Sequence, residues 1–190
     1  MKKVFYFAAL LFGLTFTACS KEDIEDTATV NTAGQWYVTV DAVDEDGNPI
    51  EDGEDYWNLG VPKIILTYNV ADNSANQMWV NLNGIGNFAD DYEYEGDPNY
   101  DIRAKVNCDQ NTLTFSCTES ENIAETVFAD PMPVTIEGKI LKGAGHQKNG
   151  SVADSIIFYV TYKNDPWYPD DGYAKYKISG IRYSGLDEND

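Results

Sequence analysis

From residue 34 onward, apolar and polar positions alternate in short runs, each closed by a cluster of turn-forming residues. Residues 35–43 (QWYVTVDAV) set Trp36, Val38, Val40 and Ala42 on one face of a strand. Residues 77–82 (QMWVNL) put Met78, Val80 and Leu82 on one face and Trp79 on the other. Residues 63–70 (KIILTYNV) are more apolar throughout, as expected of a strand covered on both sides. Further runs at 101–107, 112–118, 134–141, 155–162 and 173–183 bring the set to about eight strands. The connections DEDGNP, ADNSAN, CDQN and KGAGHQKNG are turn chemistry. One segment breaks the rhythm. Residues 121–129 pair Ile123 with Val127 and Ala124 with Phe128, which predicts a short helix stopped by Pro131 and Pro133. With no βαβ alternation, the pattern predicts an all-β domain of antiparallel strands. Such strands close into a barrel or stack as a β-sandwich, and periodicity does not choose between the two.

The segment RAKVNCDQNTLTFSC reads as a hairpin turning at Gln110-Asn111. Pairing Cys108 with Leu113 sorts Ala104, Val106, Cys108, Leu113, Phe115 and Cys117 onto one apolar face, and a one-residue slip destroys that sorting. In this register Cys117 lies roughly 13 Å along the strand from the partner of Cys108. A disulfide tolerates roughly 7 Å between Cα atoms, so two unbridged, buried thiols are expected.

The first 18 residues read differently. Two lysines, an apolar run from Val4 to Phe16 and the small residues Thr17 and Ala18 form the layout of a secretory signal, too short to span a bilayer. The ending FTAC resembles a lipobox, which makes Cys19 the lipidated first residue of an exported protein, with the acyl chains its only hold on the membrane. Residues 20–26 (SKEDIED) resemble the surface-export signal of Bacteroidetes-type lipoproteins, implying display on the outer membrane rather than its periplasmic side. Residues 19–33 are read as an acidic, flexible tether and 34–190 as the β domain.

Charge narrows the partners. The chain carries −19; without Lys2 and Lys3 the mature part has 11 basic against 32 acidic residues, a net −21. Such a surface repels phosphate backbones, which excludes nucleic acid. Catalytic chemistry is equally hard to assemble. The single histidine, His146, sits in a glycine-rich loop, no G-x-S-x-G elbow is present, and carboxylate pairs arise by chance among so many acids. The acidic turns at Asp44–Asn48 and Asp165–Asp171 lack EF-hand spacing, and neither Cys108 nor Cys117 has a second soft ligand nearby. The expectation is a non-enzymatic protein with no metal and no cofactor.

WYVTVDA, LTYNVADNSANQMWV, GKILKGAGHQKNGSVADSIIFYVTY and ISGIRYSGL, in this order, resemble a family of Bacteroidetes-type lipoproteins described as lipid-binding putative hydrolases, with a calycin (lipocalin-like) barrel. The likeness runs from about residue 34 to 186 and implies a single eight-stranded barrel holding an apolar or lipid-like small molecule. The resemblance carries over no catalytic residues. Alternation along the strands nominates Trp36, Val38, Met78, Val80, Val106, Phe115, Ile157 and Tyr159 as inward lining, either around a ligand or as plain core. The aromatic loop Pro166-Trp167-Tyr168-Pro169 would form one lip of the cavity; its Trp167 and Tyr168 equally suit a flat sugar or a partner protein. Three functions therefore stand: a surface-anchored carrier, a glycan- or protein-binding accessory of an uptake system, and, ranked last, a hydrolase using His146.

Overall fold

The computed structural model describes residues 26–51, 53–57, 63–88, 96–126, 128–170 and 172–186. The signal segment 1–18, the lipidation site Cys19 and the start of the tether lie outside the described residues. Eight strands follow in order: β1 (Gly34–Val43), β2 (Lys63–Asn69), β3 (Gln77–Asn81), β4 (Arg103–Asp109), β5 (Thr114–Ser120), β6 (Val134–His146), β7 (Val152–Tyr162) and β8 (Lys175–Arg182). Each pairs antiparallel with the next, and β1 also pairs with β8, closing the sheet into a barrel. Closure rests on β1: residues 34–38 bond to β2 while residues 36–43 bond to β8. A closed sheet has no edge to protect, and the sandwich alternative falls away.

Alternation decides what fills the tube. Trp36, Val38 and Val40 from β1, Ile65 from β2, Met78 and Val80 from β3, and Ala104 and Val106 from β4 point inward and are buried. Phe115, Ile136, Ile156, Phe158, Val160 and Ile178 complete the packing from the other strands. Gly138 on β6 is an inward position that has to lack a side chain. A Cβ there would lie 2.4 Å from the Cβ of Phe158 and 2.5 Å from the ring of Phe115, two rings whose centroids are 5.8 Å apart.

Three expectations are corrected. The helix at 121–129 does not form among its described residues. Instead the Asn122 amide accepts the Arg103 N–H at 2.8 Å and donates to the Asp101 carbonyl at 2.8 Å, while the Ile123 N–H donates to the Arg103 carbonyl. Backbone partners on β4 outcompete the helical ones that apolar spacing alone suggested. The β4–β5 hairpin pairs Cys108 with Phe115, not Leu113. The Asp109 carboxylate caps the N–H groups of Asn111 and Thr112, and Leu113 turns left-handed (φ 59°), so the loop spans four residues. The shift is by two, so the faces sort as expected, and both thiols are unbridged, Cys108 buried and Cys117 half-buried.

The third correction concerns the tether. Thr29 and Thr32, assigned to it, are fully buried. Residues 27–33 form turns that plug one end of the barrel. The Trp36 indole N–H donates to Thr67 Oγ1 at 2.9 Å, and that hydroxyl donates to the Thr32 carbonyl at 2.7 Å. The Arg182 guanidinium lies 4.4 Å from the centre of the Trp36 ring and donates to the Ala33 carbonyl, clamping the plug.

Up-and-down winding sends alternate connections to opposite ends. At the plugged end they are short, residues 70–76, 110–113 and 147–151. At the other end they are long, residues 44–62, 82–102, 121–133 and 163–174. In a closed barrel the end carrying the long loops is the one free to be shaped for binding.

Candidate functional site at the long-loop mouth

The six inward candidates Trp36, Val38, Met78, Val80, Val106 and Phe115 do converge inside the barrel, yet none is more than 2% exposed. They touch one another and leave no surface for a ligand to cover; they are core. Ile157 and Tyr159 are corrected: both are half-buried on the outer face, because the inward set of β7 is Ile156, Phe158, Val160 and Tyr162. Both faces of β7 are apolar, so alternation could not say which one turns inward.

Solvent-reachable space is present at the mouth. A cleft of about 500 Å³ opens there, lined by Glu45, Tyr162, Asp165, Tyr168, Tyr173 and Lys175 among others. Below it sits a cluster of rings that sequence reading missed. Tyr100 packs edge-on against Tyr162 at 5.0 Å and Tyr176 at 5.7 Å, Trp57 lies 5.6 Å from Tyr176, and Tyr56 meets Tyr173 edge-on at 4.7 Å. These rings sit in the long loops and in the strand residues next to them. Their signal was positional, and it could be seen only once strand order had assigned each loop to an end.

The loop bearing Trp167 and Tyr168 borders the cleft through Tyr168. Trp167 packs 6.2 Å from Tyr100 and is 36% exposed; Tyr168 is 45% exposed and lines the cleft. Asp165 fixes this loop. Its carboxylate accepts the Tyr100 hydroxyl at 2.9 and 3.0 Å and the Trp167 backbone N–H at 3.0 Å. The Tyr162 hydroxyl in turn donates to the Tyr100 carbonyl. Burial, reinforced by neighbouring phenols and Asp165, raises the Tyr100 and Tyr162 hydroxyls well above the ordinary tyrosine range. Burial does the same for Tyr176. All three stay neutral donors at physiological pH.

The loops at this end are acidic. Residues 44–62, 82–102, 121–133 and 163–174 hold seven, six, three and three acidic residues respectively, 19 of the chain's 32, against the single basic residue Lys163. The three short loops together hold Asp72 and Lys148. Among the described residues, 13 of the 20 acidic ones lie in these four loops, so the mouth carries most of their negative charge.

Residues 21–187 match a family model described as "Lipid-binding putative hydrolase". The chain belongs to this family. Membership and the closed barrel together fit a lipid-binding role and an apolar small-molecule ligand. No curated protein matches the chain.

A second cleft, about 310 Å³, lies at the plugged end between Asn76, Asn107, Cys108, Asp109 and Phe115. Burial raises the Cys108 thiol and likewise that of Cys117, which keeps both protonated and unreactive. His146 ends β6 at this same end, exposed and far from the aromatic mouth. Among the described residues no three His, Cys, Asp or Glu side chains gather in a way that could hold a metal ion.

Proposed function

We propose that the protein is an exported lipoprotein, held to the outer-membrane surface by acyl chains on Cys19, that binds an apolar, lipid-like molecule without converting it. Binding takes place at the long-loop mouth rather than deep in the barrel. The observation that carries this reading is the aromatic-lined cleft of about 500 Å³, within the span of roughly 300–1,000 Å³ typical of small-molecule sites. The lumen below it is already filled by side chains. Support for the anchor comes from the signal layout and the FTAC ending. Strand order adds a geometric consequence: the chain enters the barrel at the plugged end, so the mouth opens away from the anchored end. Binding without turnover is supported by the distance of His146 from the mouth and by two thiols whose burial suppresses the thiolate.

The test is a displacement titration of an environment-sensitive lipophilic dye by dodecyl-chain amphiphiles below their micelle concentration. Saturable displacement is expected from the chain beginning at Ser20, weakened about tenfold by Tyr168→Ala, which removes an exposed ring from the cleft lining, with the melting temperature unchanged. Failure of every amphiphile to displace the dye would contradict the reading. So would ester cleavage abolished by His146→Ala, which would restore the hydrolase.

A further inference from the structure

We infer that the headgroup selected at the mouth is a positively charged nitrogen, an alkylammonium or choline-type group, held among Tyr162, Tyr168 and Tyr173 beside the Asp165 carboxylate. This deepens, and rests on, the proposed reading of the mouth as the lipid site.

Four observations converge. First, three tyrosine rings line one cleft. A ring face carries negative potential and attracts cations, most strongly those that give up little hydration, as quaternary ammonium does. Second, Asp165 lines the same cleft and is fixed by the Tyr100 hydroxyl and the Trp167 N–H. Those hydrogen bonds orient the carboxylate without cancelling its charge, and among the described residues no lysine or arginine lies within ion-pair distance of it. Third, the described residues of the long loops include 13 acidic and one basic, so the field at the mouth draws cations in and turns carboxylate and sulfate heads away. Fourth, the one basic side chain in the lining makes its described contacts outside the tyrosine set. The Lys175 ammonium donates to the Glu45 carbonyl and sits 5.8 Å from the centre of the outward Tyr159 ring. A backbone carbonyl does not neutralise it, so the ammonium keeps its charge. It is within the same lining to meet the phosphate of a zwitterionic head.

A fatty-acid site would place its cation among the rings, whereas the Lys175 ammonium makes its described contacts with the Glu45 carbonyl and the outward Tyr159 ring. The buried Tyr162 phenol, the fixed Asp165 carboxylate, the half-buried Tyr173 ring and the exposed Tyr168 ring form a cage for a cation trailing an apolar chain.

The experiment titrates the chain beginning at Ser20 with four amphiphiles sharing a dodecyl tail: trimethylammonium, phosphocholine, sulfate and an uncharged oligoethylene glycol, each below its micelle concentration. Binding is read by calorimetry at physiological salt. Trimethylammonium is expected to bind more tightly than the sulfate and uncharged heads by about tenfold, equivalent to ~1.4 kcal/mol. That preference is expected to collapse in Tyr168→Ala and in Tyr173→Leu, both of which keep every charge. Phosphocholine binding alongside trimethylammonium identifies a zwitterionic lipid head as the source; trimethylammonium alone identifies a cationic amphiphile. Equal affinity for all four heads overturns the headgroup inference and leaves the lipid reading standing. No binding by any of them overturns both. A cationic preference that survives both tyrosine replacements also overturns it, because the general acidic field would then account for the selectivity.

Discussion

Gly138 shows how far single residues control this barrel. The inward pattern of β6 runs Val134, Ile136, Gly138, Ile140, and the missing side chain is what lets Phe115 and Phe158 meet over β6 from the strands on either side. Gly138→Ala is expected to cost about 1–3 kcal/mol by overpacking, seen as a lower urea midpoint at unchanged slope. An unchanged midpoint would mean that the lumen has slack, and with it room for a ligand. Much at this scale was legible beforehand. Trp36, Val38, Met78, Val80, Val106 and Phe115 were placed inside by alternation and are inside. Ile157 and Tyr159 were not legible, because period-two alternation gives two faces and on β7 both are apolar. The choice between them is made by β6 and β8, through pairs such as Gly138–Phe158 and Phe158–Ile178, which local sequence does not contain.

At the scale of elements, all eight strands could be read from short alternating runs, and their boundaries moved by only a few residues. The failures share a cause. At residues 121–129 the spacing of apolar side chains favoured a helix, but Asn122 and Ile123 find their backbone partners on β4, a strand remote in sequence. Residues 27–33 looked like solvated tether because their own composition buries little. Their burial depends on Thr67 and Arg182, which meet them only after the barrel closes. The β4–β5 loop gained two residues from the Asp109 cap, a local signal that a shorter turn at Gln110-Asn111 obscured. Face assignment survived because a shift of two preserves the pleat.

The whole molecule is a closed tube stoppered at both ends, by threonines and an arginine-clamped tryptophan at one and by neutral tyrosines at the other. That second stopper makes the fold sensitive to alkali. Tyr100, Tyr162 and Tyr176 have folded-state pKa values raised by burial, while in the unfolded chain they titrate near pH 10. The unfolded state therefore binds fewer protons than the native one above that pH. Stability present in full below about pH 10 falls as pH rises further, by up to about 1.4 kcal/mol per pH unit for each such tyrosine. Phenolate absorbance is expected to rise in two stages, exposed tyrosines first and the buried set only together with loss of near-ultraviolet circular dichroism. A single smooth titration of all 12 tyrosines of the chain beginning at Ser20, in the folded state, would refute the stopper.

The same geometry separates mouth from lumen by tryptophan position. Trp57 and Trp167 pack with the mouth rings, Trp36 lies at the plugged end bonded to Thr67, and Trp79 faces outward from β3 beside Lys105. The most direct measurement is a titration with dodecyltrimethylammonium followed through the four indole N–H resonances in a nitrogen–proton correlation spectrum. The resonances of Trp57 and Trp167 are expected to move saturably while those of Trp36 and Trp79 stay in place. Movement of Trp36 with the mouth pair unchanged would put the ligand in the lumen or at the plugged end and contradict the account.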